Sequence, residues 1–368
     1  MDESTKAVAH VVPSWRSTSG LPRHGKDHWA VWENGQITKT DLYTLTTKSP
    51  LSLARFNVLI GSPGTPWFLP VGCVPDLQDR IIASIHAQQN YMTIVPLTIL
   101  LLAGLGVLWA PTEEMWSGVR LALIIAFFPA IRALDFYISL RNRRGLAERS
   151  LFVYALQRSR AGFYLWASIG IAIGCAQLLA THMLGSQQAV FDKFGMMYSD
   201  ASAGQWWRLI TGPYLHYSWL HYGANLVLLT FAGWIVWPVV GRISIIAFFL
   251  GNVIGAAGQL TLSPHFYDGF GGMSAGADAF FGVLVGACIA NPRLGPKGFS
   301  AVFGVLAIAS IVYSEVFNPH AATMAHITGF SSGLVLGGIW ALVHRLWPTP
   351  AHPRRHSPRP ARRHTAVT

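Results

Sequence analysis

Charge is scarce in this sequence: only 12% of its 368 residues are Asp, Glu, Lys or Arg. A soluble domain carries about 25%. With 52% hydrophobic residues and a mean hydropathy of +0.38, an ordinary soluble enzyme is excluded. Cysteine is scarce too. Cys73, Cys175 and Cys288 have no metal-type spacing, and an odd count without pattern gives no disulfide framework. The first 50 residues contain no apolar core of the kind a secretory signal peptide needs, so the first apolar helix is expected to act as the insertion signal. Acidic residues are outnumbered 16 to 27, for a net charge of +11. That excess does not imply a nucleic-acid partner, because no stacking or base-reading module accompanies it.

Long apolar runs are what the chain does have. Eight lie at about 92–110, 117–139, 163–183, 218–239, 243–262, 274–290, 299–316 and 325–344. Most approach the roughly 20 residues that cross a hydrocarbon core. The fold expected is an all-α polytopic membrane protein: a six-helix bundle over 163–345, preceded by two extra transmembrane helices over 91–140 and a small polar N-terminal region, 1–90. A basic cytoplasmic linker over 141–162 separates the helix pair from the block, and a basic disordered tail spans 346–368. In the polar region, Trp29 to Lys39 alternates around Asn34-Gly35, a dipeptide suited to a type I′ hairpin turn.

Basic residues orient the helices. Arg141, Arg143, Arg144, Arg149, Arg158 and Arg160 crowd the linker, and Arg345, Arg354, Arg355, Arg359, Arg362 and Arg363 the tail, while Arg242, Arg293 and Lys297 occupy loops on the same side. The opposite loops hold only Arg120, Lys193 and Arg208. The positive-inside rule then puts both termini in the cytoplasm, with the loops at 184–217, 263–273 and 317–324 facing outward. A bacterial inner membrane is the location expected. Arg132 and Asp135, three apart near the end of the second segment, either pair on one helix face or leave the arginine to snorkel.

The chemistry-bearing residues gather at the outward ends. Gly271-Gly272-Met273-Ser274-Ala275-Gly276 opens the sixth segment. Small residues permit a tight entry into a helix and leave the serine accessible. The helix N-terminus offers unpaired N–H groups, useful beside a nucleophile whose transition state bears an oxyanion. A plain N-cap serine fits the same residues. Ala325-His326-Ile327-Thr328-Gly329 opens the eighth segment from the same side, and a histidine in an apolar run is costly without a partner. Gly329, Gly333 and Gly337 form a small-residue stripe that lets a neighbouring helix approach closely. His221 and Asn225, four apart, share a helix face. They are either oxyanion donors or polar packing between helices. Trp206 and Trp207 precede Arg208 in the long outer loop and also suit an interfacial belt.

Taken in order, Trp207-Arg208, the HxxxN of His221 and Asn225, the GxS of Gly272 to Ser274 and the AHxxGxxxG of Ala325 to Gly333 make residues 163–345 resemble the rhomboid family of intramembrane serine proteases. The resemblance implies Ser274 as nucleophile, His326 as general base, and an oxyanion hole from the Ser274 N–H, His221 and Asn225. It implies Arg208 as a brace of the outer loop and membrane-protein segments as substrates, with the bilayer as surroundings. It implies no metal and no cofactor, and says nothing of oligomeric state. Two residues depart from the family pattern: Ala275 stands where Gly is common, and Asp278 where a tyrosine often stacks on the histidine. Asp278 either orients His326, is protonated by desolvation, or bonds elsewhere.

Rival classes fit less well. A catalytically silent rhomboid-like client binder generally lacks the serine or the histidine. No HExxH zinc motif occurs. An aspartyl mechanism would need Asp268, in a short loop, to face Asp278. A transporter would show polar groups at midplane on broken helices.

Overall fold

The computed structural model describes residues 14–16, 21–47, 58–109, 113–263, 268–317 and 322–346. The polar front is a four-stranded antiparallel sheet, β1 (Ala30–Glu33), β2 (Gln36–Lys39), β3 (Val58–Gly61) and β4 (Leu69–Pro70), in the order β2-β1-β3-β4. The β1–β2 register pairs Glu33 with Gln36, which leaves Asn34 and Gly35 as the turn. Both have positive φ, 49° and 86°, as a type I′ turn requires. The basic tail at 346–368 lies almost wholly outside the described residues.

The helices follow as α1 (Pro75–Trp109), α2 (Glu113–Asp135), α3 (Arg143–Arg158), α4 (Ala161–Leu184), α5 (Trp219–Val240), α6 (Ile243–Leu262), α7 (Ser274–Ala290), α8 (Phe299–Phe317) and α9 (Thr323–Leu346). This is a polytopic, predominantly helical membrane protein. Among the described residues, α4, α5, α6 and α9 are each long and apolar enough to cross a bilayer, and α7 is a shorter apolar helix.

Two sequence expectations change, and one of two open readings falls away. The first apolar helix begins at Pro75 rather than near 92, so a boundary at residue 90 falls inside a helix. Its polar opening turns contain Asp76, Gln78, Asp79 and Arg80, which a search for apolar runs passes over. The basic segment 141–162 is a docked helix rather than a bare connection. Asn142 caps α3 by accepting from the Gly145 N–H at 2.8 Å, and Phe152 and Leu156 join the main core. Finally, Asp135 pairs with Arg149 on α3, while Arg132 is exposed. The docked helix brings a better partner than the helical neighbour three residues away.

Helix α3 also ties the polar front to the bundle. Arg16 pairs with Glu148 at 3.3 Å, and the second oxygen of that carboxylate accepts from the Lys297 N–H at 2.9 Å. Trp15 stacks edge-on to Phe152 and donates to the Leu294 carbonyl at 2.7 Å.

At the centre stands α7, buried from Ala275 to Cys288. Helix α9 meets it backbone to backbone. A Cβ added at Gly329, Gly333 or Gly337 would run into the carbonyls of Ala275, Ala279 or Val283, and one at Gly282 or Gly286 into those of Phe330 or Leu334. Glycine is therefore required by close approach, and van der Waals contact replaces the hydrophobic drive that lipid does not supply. Gly333→Val should force the helices apart, lower the melting temperature, and cost at least about 1–3 kcal/mol. Gly304→Ala, on α8 with nothing within 4 Å of an added Cβ, should leave the melting curve in place.

Candidate active site

Side chains of α5, α6, α7 and α9 come together at one end of the bundle. A short strand, β5 (Met196–Met197), pairs with β6 (Gly269–Phe270) and ties the long loop after α4 to the entry of α7. Arg208 fixes that loop from within. Nearly buried, it donates to the carbonyls of Gly195 and Asp192, each at 2.7 Å, and to Gln205 at 2.8 Å, and it pairs with Asp200 at 2.8 Å. Trp206 and Trp207 stand exposed, away from the polar cluster.

Gly272, at φ 124°, turns the chain into α7, and a side chain there would strike the His221 ring. The ring thus lies on bare backbone just ahead of Ser274, the first residue of α7. Ser274 Oγ is 3.4 Å from His326 Nε2 on α9, a loose hydrogen bond of the kind seen before substrate tightens a site. The other ring nitrogen, His326 Nδ1, lies 2.5 Å from Asp278 Oδ2. Asp278 follows Ser274 by one helical turn, so both face α9, and the carboxylate is only 2% exposed. Serine, imidazole and carboxylate thus form an unbroken line.

Ser218 caps α5, accepting from the His221 N–H at 3.2 Å. One turn on, Asn225 is buried and donates its Nδ2 to the His221 carbonyl at 3.1 Å. Its Oδ1 is buried without a hydrogen-bond partner. A side-chain amide carries two N–H groups, so one bond to the helix leaves a donor to offer. His216, absent from the sequence motifs, packs edge-on against His221 with ring centroids 5.1 Å apart. Burial, with His221 adding to it, pushes its pKa down to about 4, so the second imidazole is neutral near pH 7.

Helix α6 supplies what no motif announced. Asn252 Oδ1 accepts from the Gly276 N–H at 2.9 Å, and Gln259 Oε1 accepts from the Ala325 N–H at 3.1 Å. One helix thus satisfies first-turn amides of both the serine helix and the histidine helix. A signal was present: two amides seven residues apart, hence on one face, in an otherwise apolar run.

Against known families, residues 203–342 match the model of the Rhomboid domain, a stretch containing Arg208, His216, His221, Asn225, Asn252, Gln259, Ser274, Asp278 and His326 but not Asp200 or the loop carbonyls that hold Arg208. RHOMBOID-like protein 1 of Arabidopsis thaliana is 29% identical over 168 residues, which is 44% of this chain and 41% of that protein. The chain therefore matches less than half the length of that relative.

Proposed function

Starting from a rhomboid domain at residues 203–342, we propose that this chain is an intramembrane serine endopeptidase. Its substrates are transmembrane or membrane-proximal segments of other membrane proteins, cut near the outer interface. The observation that carries the proposal is the line Ser274–His326–Asp278, with contacts of 3.4 and 2.5 Å. Ser274 attacks the scissile carbonyl. His326 takes its proton through Nε2 and returns it to the leaving amine. Asp278 holds the ring by Nδ1 and stabilises the imidazolium. The Ser274 N–H, His221 and Asn225 face the oxyanion. Cleavage needs an extended peptide, because an intact helix keeps its carbonyls in hydrogen bonds, so segments that unwind readily, with a small residue before the cut, are the preferred clients.

The arginine-rich loops lie at the other end of the bundle. With both termini cytoplasmic, the site opens outward, and the protein sits as a multi-pass protein in a bacterial inner membrane. Helices α1 and α2 complete eight spans.

The test is release of a fragment from a single-span substrate co-reconstituted in vesicles, together with labelling by a fluorophosphonate serine probe. Labelling distinguishes a protease from a silent client-binding relative. Intact substrate and no labelling, with the protein folded, would overturn the proposal. Within it, His221→Ala and Asn225→Ala should each lower turnover by about 10²–10³ with a smaller change in KM. Unchanged turnover in both would reduce these side chains to helix packing.

A further inference from the structure

At the end of the bundle away from Ser274, a cavity of about 680 Å³ opens between the polar sheet and the membrane helices. Asn34 of the hairpin turn and Trp32 of β1 form one wall; Tyr154, Gln157 and Arg158 of α3, with Arg160 and with Trp234 of α5, form the rest. That volume falls in the range of small-ligand sites, about 300–1,000 Å³. Two arginines and no carboxylate line it.

Its depth is set by the chain. Arg160 immediately precedes α4, and Trp234 sits six residues before the end of α5, about 9 Å along the helix. The cavity thus runs from the level of the helix ends to the level where indoles gather in a bilayer. Trp234 is held there by its Nε1–H bond to the Leu156 carbonyl at 3.0 Å. Arg158 donates to the Tyr154 hydroxyl at 2.8 Å, which fixes one guanidinium at the mouth. Arg160, the residue before α4, brings the second guanidinium to the lining.

We propose that this cavity binds the headgroup of an anionic phospholipid, the phosphate between Arg158 and Arg160 and the glycerol region against Trp234. Guanidinium groups fit phosphate oxygens in pairs, and the amphipathic ring suits the zone just below. Because Trp32 and Asn34 belong to the sheet, a bound lipid clamps the polar domain onto the bundle.

The full chain is purified in neutral detergent and offered phosphatidylglycerol, phosphatidylcholine or inorganic phosphate, with retained ligand read by native mass spectrometry. Phosphatidylglycerol should be retained over phosphatidylcholine. Each arginine near such a headgroup contributes about fivefold, so the double variant Arg158→Gln/Arg160→Gln should weaken retention about twenty-fivefold. The Arg158→Lys/Arg160→Lys pair, which keeps the charge, should recover most of it. The control Arg141→Gln/Arg242→Gln, on the same face but outside the cavity, should retain lipid as wild type does. Equal retention of the two lipids, no loss in the glutamine pair, or equal loss in the control would overturn the site. Inorganic phosphate binding as tightly as phosphatidylglycerol would assign the cavity to a soluble ligand and overturn the lipid assignment.

Discussion

Ser274→Ala should give a protein that inserts and melts like wild type but cuts nothing. Removing the Oγ leaves no nucleophile within reach of His326 Nε2, and the 3.4 Å contact vanishes with it. In soluble serine hydrolases the loss of nucleophile or base costs about 10⁶ in turnover. His326→Ala should cost as much, and the double variant no more than either alone, because the two residues act as one unit. The measurement is fragment release from a reconstituted single-span substrate, with circular dichroism to show the helices intact. Retained cleavage in both single variants would remove the serine mechanism.

Asp278→Asn is expected to have the second largest effect, about 10⁴ in turnover. The substitution keeps the shape and removes the charge. Asp278 accepts at His326 Nδ1 across 2.5 Å, so the ring's N–H points to the carboxylate and Nε2 is left as the base. An asparagine can present its own N–H there, favouring the opposite tautomer, in which Nε2 carries the proton and cannot take one from Ser274. Asp278→Tyr would install the residue common in the family and should recover part of the loss by ring stacking. Near wild-type turnover in Asp278→Asn would leave a Ser274–His326 dyad, with Asp278 only filling the core.

Much of the site was legible because its determinants are local. His221 with Asn225, and Ser274 with Asp278, are each four residues apart and so share a helix face. The Asn34-Gly35 turn was legible for the same reason, its two positive φ angles being written in two residues. Hidden were features created by distant contacts. Asp135 has a basic neighbour at Arg132, and only the docking of α3 supplies Arg149 instead. The Val58–Gly61 strand is four apolar residues long, too short for a period to appear. The buried amides of α6 read as interruptions in a membrane span until the helices they reach are known.

Those two amides have a mechanical consequence. Asn252 and Gln259 are spaced along a single rod by seven residues, about 10.5 Å, and one grips the start of the Ser274 helix, the other the start of the His326 helix. If the rod slides or tilts under lateral pressure from the lipid, both helix starts travel together, and the gap between serine and histidine is a difference that the common motion cancels. What the arrangement does not cancel is a change of length between the two grips. One residue inserted between 252 and 259 would shift one of the two gripped helices against the other by about 1.5 Å and turn its grip by about 100°, whereas the same insertion in the loop at 263–273 would leave the spacing of the grips intact. The stretch of α6 between Asn252 and Gln259 is thus the gauge length of the Ser274–His326 pair.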